Sequence, residues 1–280
     1  MKLRKFKKKH LFWLIPLLLF LGWFCHWSNN SIQTSCYTYE SEQVPQGFDG
    51  FRIVQLSDLH NKKYAKENKQ LLEKIIALEP DLLVLTGDMV DGFSHTDYDK
   101  ALLLLEQLPQ IAPCYYVTGN HEERLKTRGL PAFHEKIQTF GISILSEDMV
   151  SLTAESGDEI ALLGFADGKL FSPHLNEIMA AENQSKLHIL LAHEPQLLED
   201  YAATGVDIVF SGHAHGGQFR IPLTHQGIYA PDQHLFPKLT EGVHTAQNTT
   251  MYISRGLGNS SFPLRLCNRP ELVCVTLRHI

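Results

Sequence analysis

The sequence predicts an α/β domain behind an N-terminal apolar segment. Of 280 residues, 44% are apolar and 20% charged, which is a globular composition. From Phe51 onward, short apolar runs alternate with stretches of helical period, as strands and helices do in α/β folds. The N-terminus stands apart: Met1 to Lys9 holds six basic residues and no acid, and Leu11 to Trp27 contains no Asp, Glu, Lys or Arg.

That 17-residue run sits at the lower limit for a bilayer span. The residues at its end, Cys25-His26-Trp27-Ser28-Asn29-Asn30, offer no small-x-small cleavage site, which favours an uncleaved signal anchor over a removed signal peptide. Six cations precede the run, and no Lys or Arg occurs from His10 to Phe51. This asymmetry predicts a cytoplasmic N-terminus (residues 1–10), a single-pass transmembrane anchor in the cell membrane (11–27) and an extracytoplasmic body. Residues 28–49, rich in Ser, Gln, Asn and Glu, read as a stalk leading to a domain at 50–280. The formal net charge is -6, and setting the basic N-terminus aside leaves 19 basic against 31 acidic residues, which excludes bulk nucleic-acid binding. The five cysteines, 25, 36, 114, 267 and 274, form no C-x-x-C pair, and the odd count argues against a disulfide framework or structural zinc. Cys114 and Cys274 lie in apolar runs and read as small buried hydrophobes.

Within the domain, Ile53 to Leu56 is the first predicted strand. A helix follows near Tyr64 to Leu78, with Leu71, Leu72, Ile75 and Ile76 on one face. Leu82 to Leu85 is a strand, Tyr98 to Leu108 a helix, Tyr115 to Val117 a strand and Pro131 to Phe140 a helix. Further strands are predicted at Ile142 to Leu145, Ile160 to Leu163, Leu187 to Leu191 and Ile208 to Phe210. Met251 to Ser254 and Leu272 to Leu277 close the domain. Residues 216 to 250 have little periodicity and form too long a stretch to be idle in a compact domain; His225, His234 and His244 within it read as lid or surface residues.

Five of the apolar runs finish in groups able to bind a metal: Asp58-Leu59-His60, Gly87-Asp88, Gly119-Asn120-His121, His193 and Gly212-His213-Ala214-His215. Sites of α/β sheets assemble at the carboxyl ends of strands, so these segments are expected to converge. Residues i and i+2 of an extended segment share a face, which pairs Asp58 with His60 and His213 with His215. One strand ending in Asp or His is ordinary turn chemistry. Five such ends have no cheap structural explanation, because clustered carboxylates repel unless a cation is present. A set of oxygens and imidazole nitrogens without thiolate suits Mn²⁺, Fe or Zn²⁺ and does not choose among them.

Asp58-x-His60, Gly87-Asp88-x-x-Asp91, Gly119-Asn120-His121-Glu122, His193 and Gly212-His213-x-His215 resemble, in order, the five blocks of the calcineurin-like metallophosphoesterase superfamily. His213-Ala214-His215-Gly216-Gly217-Gln218 and Ser254-Arg255-Gly256-Leu257-Gly258 are similar to its membrane-associated bacterial branch. The resemblance implies a four-layer sandwich, two mixed β-sheets face to face with helices outside. It implies two divalent metal ions, one on Asp58, His60, Asp88 and His215 and the other on Asp88, Asn120, His193 and His213, with Asp88 bridging. It also implies His121 as general acid and Asp91 as the carboxylate that orients it.

Protein phosphatases of the superfamily carry an Arg after the block containing Asp91, where Gly92 and Phe93 stand here; that loss leans toward phosphodiesters. Arg124, Arg255 and Arg265 are the candidates for gripping a substrate phosphate. The expected function is a membrane-anchored phosphodiesterase acting on a phosphodiester or lipid-linked phosphate. A lipid hydrolase resembling UDP-2,3-diacylglucosamine pyrophosphatase and a noncatalytic metal-dependent binder of phosphorylated lipid are the alternatives.

Overall fold

A computed structural model of the chain describes residues 8–92, 98–166, 173–181, 186–259 and 262–280. Most of the basic N-terminus lies outside these residues, as does Phe93. In chain order the elements are α1 (Lys8–Asn30), β1 (Gln33–Glu40), β2 (Arg52–Leu56), α2 (Lys69–Ile76), β3 (Leu82–Thr86), α3 (Asp99–Leu105), β4 (Cys114–Val117), α4 (Asn120–Thr139), β5 (Ile142–Ile144), β6 (Asp148–Thr153) and β7 (Glu159–Phe165). They continue with α5 (Pro173–Ala181), β8 (His188–Ala192), α6 (Leu198–Ala203), β9 (Ile208–Ser211), β10 (Tyr229–Ala230), β11 (His234–Leu235), β12 (Gly242–Ala246), β13 (Thr249–Ile253) and β14 (Glu271–Arg278).

Two six-stranded sheets carry the domain, in the orders β1-β14-β2-β3-β4-β5 and β12-β13-β9-β8-β7-β6. Both are mixed: β14 runs antiparallel to β2 in the first, and β12 and β6 run antiparallel to their neighbours in the second. The period of two along each strand separates the apolar residues into layers. Ile53, Val84, Ile189, Phe210 and Val275 meet between the sheets. Their neighbours Val54, Leu83 and Leu85 turn outward onto α2, α3 and α4, and Leu190, Val209 and Met251 onto α5 and α6. The four-layer arrangement of helix, sheet, sheet and helix follows. Strands buried on both faces read as continuous apolar runs, which is why β3 and β8 are buried at every position.

The N-terminus corrects two expectations. Among the described residues no helix is long and apolar enough to cross a membrane, which overturns the single-pass anchor and the extracytoplasmic placement that rested on it. The apolar run is short, and its far end is occupied by the domain. Arg269 stacks over the Trp27 ring, Ser28 is fully buried, and Asn29 both donates to the Arg265 carbonyl and accepts from its backbone N–H. Roughly 20 residues are needed to span a bilayer, and the body takes the last ones away. The second correction concerns the stalk. Residues 33–40 form β1, paired in parallel with β14 from Gln33↔Glu271 to Glu40↔Arg278; Tyr37 and Tyr39 pack against the core between the sheets.

Helix α4 begins eleven residues before the expected Pro131, directly at the Asn120 block. Gly119 stands at its N-cap position in extended conformation, and Glu122 reaches back to the Gly119 N–H at 2.9 Å. Cys114 and Cys274 are buried, as expected, and all five cysteines are free.

Candidate metal centre

The five blocks do converge at the carboxyl ends of β2, β3, β4, β8 and β9. Donor atoms of Asp58, His60, Asp88 and His215 lie within 4.8 Å of one another, as do those of Asp88, His193 and His213. His60 Nε2 is 3.1 Å from His215 Nε2 and 3.6 Å from Asp88 Oδ2, and His215 Nε2 is 3.4 Å from Asp58 Oδ1. On the other side, His193 Nε2 is 3.3 Å from Asp88 Oδ2 and 3.2 Å from His213 Nδ1. Asp88 therefore belongs to both groups. A third grouping, His60, Asp91 and His121, shares His60 with the first.

Asn120 completes the second group. In one orientation of its amide the oxygen faces Asp88 Oδ2 at 3.1 Å and His213 Nδ1 at 3.3 Å, both acceptors. Oxygens and nitrogens facing one another with no proton between them suit a cation. In the other orientation the amide donates to these two atoms and accepts from Arg124.

The electrostatics fit a cation as well. Burial pushes the Asp58 carboxyl up to about 6 against the pull of His193, with Asp88 adding to the rise. Burial would raise Asp88 too, but His193, His60 and His121 hold it well below the usual carboxylate range. Burial lowers His60 to about 3 and His213 to about 4, and takes His215 well below its ordinary value. These imidazoles are neutral at pH 7 and keep a lone pair for a metal.

The backbone carries visible strain here. Asp58, His60, Asp88, His213 and His215 all have positive φ, between 47° and 66°. Each costs on the order of 1–3 kcal/mol, and such residues cluster at functional sites. The glycines of the motifs allow segments to touch. A Cβ on Gly87, whose φ is +86°, would lie 2.6 Å from the Gly119 N and 2.7 Å from His193 Nδ1. Gly256 passes beneath Asp58, where a Cβ would come within 2.6 Å of the Asp58 Cβ, and the next residue, Leu257, donates its N–H to the Ser57 carbonyl at 2.9 Å.

Several supports were not legible in the sequence. The His193 Nδ1 lies 2.7 Å from the Thr86 carbonyl and the His213 Nε2 lies 2.9 Å from Asp232 Oδ2, which fixes each ring by its outer nitrogen. Glu122, fully buried, accepts from the N–H groups of Asp88 at 2.8 Å, Gly119 at 2.9 Å and Val90 at 3.0 Å. It ties the Asp88 loop to the start of α4. Burial and then Asp88 push its carboxyl up to about 8.

His121 stands edge-on to His60, with ring centroids 4.4 Å apart. Its Nδ1 is 3.2 Å from Asp91 Oδ1 and 3.1 Å from the Gly92 N–H, and its Nε2 is 3.1 Å from Arg124 Nη1. A cavity of about 510 Å³ opens over these groups, with Asp88, Asn120, His121 and Arg124 among its lining residues. Of the three candidate arginines, Arg124 is the one that lines it. Arg255 and Arg265 correct the expectation of substrate contact. Arg255 is paired with Glu271 at 2.9 Å and Glu241 at 3.4 Å. Arg265 is fully buried, donates to the Gly258 carbonyl, and sets Nη2 3.2 Å from His215 Nδ1. Carboxylates and carbonyls inside the fold claim both guanidinium groups.

A model of the calcineurin-like phosphoesterase family matches residues 51–217. The chain belongs to this family. The metallophosphoesterase YkuE of Bacillus subtilis is 31% identical over 252 residues, spanning 88% of this chain and 86% of that protein. A metallophosphoesterase of Aquifex aeolicus is 29% identical over 271 residues, 94% of this chain and 98% of its own length. The phosphodiesterase YaeI of Escherichia coli is 29% identical over 231 residues, 81% of this chain and 82% of its own. Metallophosphoesterases of this family depend on two metal ions, and the two groups sharing Asp88 supply candidate ligands for both.

Proposed function

We propose that this metallophosphoesterase is a dinuclear-metal phosphodiesterase. The observation that carries the reading is Asp88, a buried carboxylate common to two donor groups, lining a cavity together with His121 and Arg124. One metal would be held by Asp58, His60, Asp88 and His215, the other by Asp88, Asn120, His193 and His213. Bound there, two divalent cations would supply Lewis acidity and activated water at neutral pH.

The protein's own groups do the rest. Arg124 holds a nonbridging phosphate oxygen, and His121 protonates the departing alkoxide from Nε2, worth roughly 10²–10⁴ in rate. Asp91 holds the ring from Nδ1. Burial lowers the His121 pKa, Asp88 and Asp91 oppose that, and Arg124 adds to the lowering. Turning Arg124 onto phosphate therefore frees Nε2 and removes one charge that disfavours the protonated ring. The match to YaeI and the Gly92 that follows Asp91 in place of an arginine support a diester over a monoester.

The full-length chain is expected to hydrolyse bis(p-nitrophenyl) phosphate with Mn²⁺, Fe²⁺ or Zn²⁺ and to stop on chelation. No turnover with any of the three refutes the reading. His121→Ala is expected to lose rate while elemental analysis still finds both metals; loss of metal would make His121 a ligand of the third grouping instead.

A further inference from the structure

The cavity over the candidate centre is larger than a phosphoryl group requires, and its walls differ in chemistry. Its volume of about 510 Å³ falls in the range of small-molecule sites. Besides the polar groups Asn120, His121 and Arg124, the lining includes Phe219, Tyr229, Pro231 and Phe262. Phe219 and Phe262 meet edge to face with centroids 5.0 Å apart. The segment carrying Phe262 is tied to another lining residue: the Gln218 side chain donates to the Phe262 and Leu264 carbonyls at 2.9 and 2.8 Å. Tyr229 and Phe262 remain about half exposed.

The apolar surface also continues beyond the mouth. Leu235 is the register partner of Tyr229 in the β10–β11 ribbon and is 66% exposed. Leu264, two residues from Phe262 and pinned by the same Gln218, is exposed as well. An aromatic wall that ended at the cavity would fit a single flat ring. A wall that runs on to Leu235 and Leu264 fits a longer group. We infer that Phe219, Tyr229 and Phe262 form an apolar subsite for the retained ester substituent of the substrate, and that this substituent is a hydrocarbon chain.

The inference rests on the phosphodiesterase reading and deepens it. With the phosphoryl group held by Arg124 beside the Asp88 centre and the departing oxygen at His121, the second substituent of a diester is the one left for the aromatic part of the lining. Each methylene taken from water into such a subsite strengthens binding up to about fourfold.

The test is a series of p-nitrophenyl alkyl phosphates with methyl, butyl and octyl groups, assayed on the full-length, metal-loaded protein. Kcat/KM is expected to rise about tenfold or more from methyl to butyl and to rise again to octyl, mainly through KM. Phe262→Ser and Tyr229→Ser are expected to flatten that dependence, while Phe262→Leu keeps it. Both positions are half exposed, so the substitutions spare the core; unchanged metal content checks the fold. Turnover of the methyl ester with no gain for longer chains overturns the inference and leaves the phosphodiesterase standing. A wild-type gain that survives both serine variants overturns the assignment of the subsite. Failure to turn over any diester removes the reading on which the inference rests.

Discussion

Gly119→Ala tests whether the position of Asp88 controls the rate. A Cβ at Gly119 would lie 2.4 Å from Asp88 Oδ1, 2.7 Å from the Asp88 N and 2.9 Å from its Cγ. Non-bonded heavy atoms need about 3.5 Å, so either the carboxylate or the start of α4 must give by about 1 Å. Asp88 has little room, because Oδ1 already accepts the His121 N–H at 2.8 Å and the backbone N–H is held by Glu122. A misplacement of that size costs about 10²-fold in rate, and the overpacking costs about 1–3 kcal/mol of stability. Gly205→Ala is the matched control. Gly205 has φ +85° and nothing within 4 Å of an added Cβ, so its alanine costs about 1–2 kcal/mol of backbone strain and meets no neighbour. Thermal unfolding and kcat/KM on both variants separate the effects: comparable losses in Tm, with the rate loss confined to Gly119→Ala. Equal rate losses in the two would show that activity follows stability. Wild-type rate in Gly119→Ala would show that the geometry of Asp88 has no bearing on turnover.

Two further outcomes are expected. Asp232→Ala should weaken metal binding about 10- to 100-fold, because Asp232 fixes the His213 ring from its outer nitrogen; titration against a chromophoric chelator reads this directly, and unchanged affinity would reduce Asp232 to a surface carboxylate. Glu241 is paired with Arg220 and Arg255, and although burial would raise its carboxyl, Arg220 and Arg255 bring it below its ordinary 4.5. A depressed pKa gives stability that is complete above the unfolded value and lost as pH falls through the folded one. Glu241→Gln should therefore lower Tm at pH 7 and lose less on going from pH 5 to pH 3.5 than the wild type does; parallel Tm curves would refute it.

The strand ends were legible because β2, β3, β8 and β9 are enclosed on both faces and so stand out as apolar runs with a polar stop. Three of the four edge strands of the two large sheets gave no such signal. β1, β6 and β12 are half-buried or exposed at every position except Ala246, and their sequences read as loop or stalk. The start of α4 was obscured by Pro131, which sits inside the helix rather than at its first turn. The arginines misled for a different reason. A guanidinium near a phosphate site suggests substrate, and nothing in the local sequence shows that Glu241, Glu271 and the Gly258 carbonyl will enclose Arg255 and Arg265. Asp232 escaped notice because it reaches His213 from the aperiodic stretch after the last block, where spacing carries no information.

The pairing of β1 with β14 sets where this enzyme physically begins. The family match opens at residue 51, at the first block that carries chemistry. The packed body opens at Ser28, and eight residues of β1 cover the outer edge of β14. A polypeptide trimmed to the recognisable blocks would leave Leu272 to Leu277 with one row of backbone N–H and C=O groups unpaired, a template for adding strands from other molecules. Its loss would be felt as aggregation before any effect on the metal ligands. The boundary that a motif marks is a boundary of chemistry; the boundary that keeps this molecule folded and separate lies some twenty residues upstream, in a segment whose composition is that of a tether.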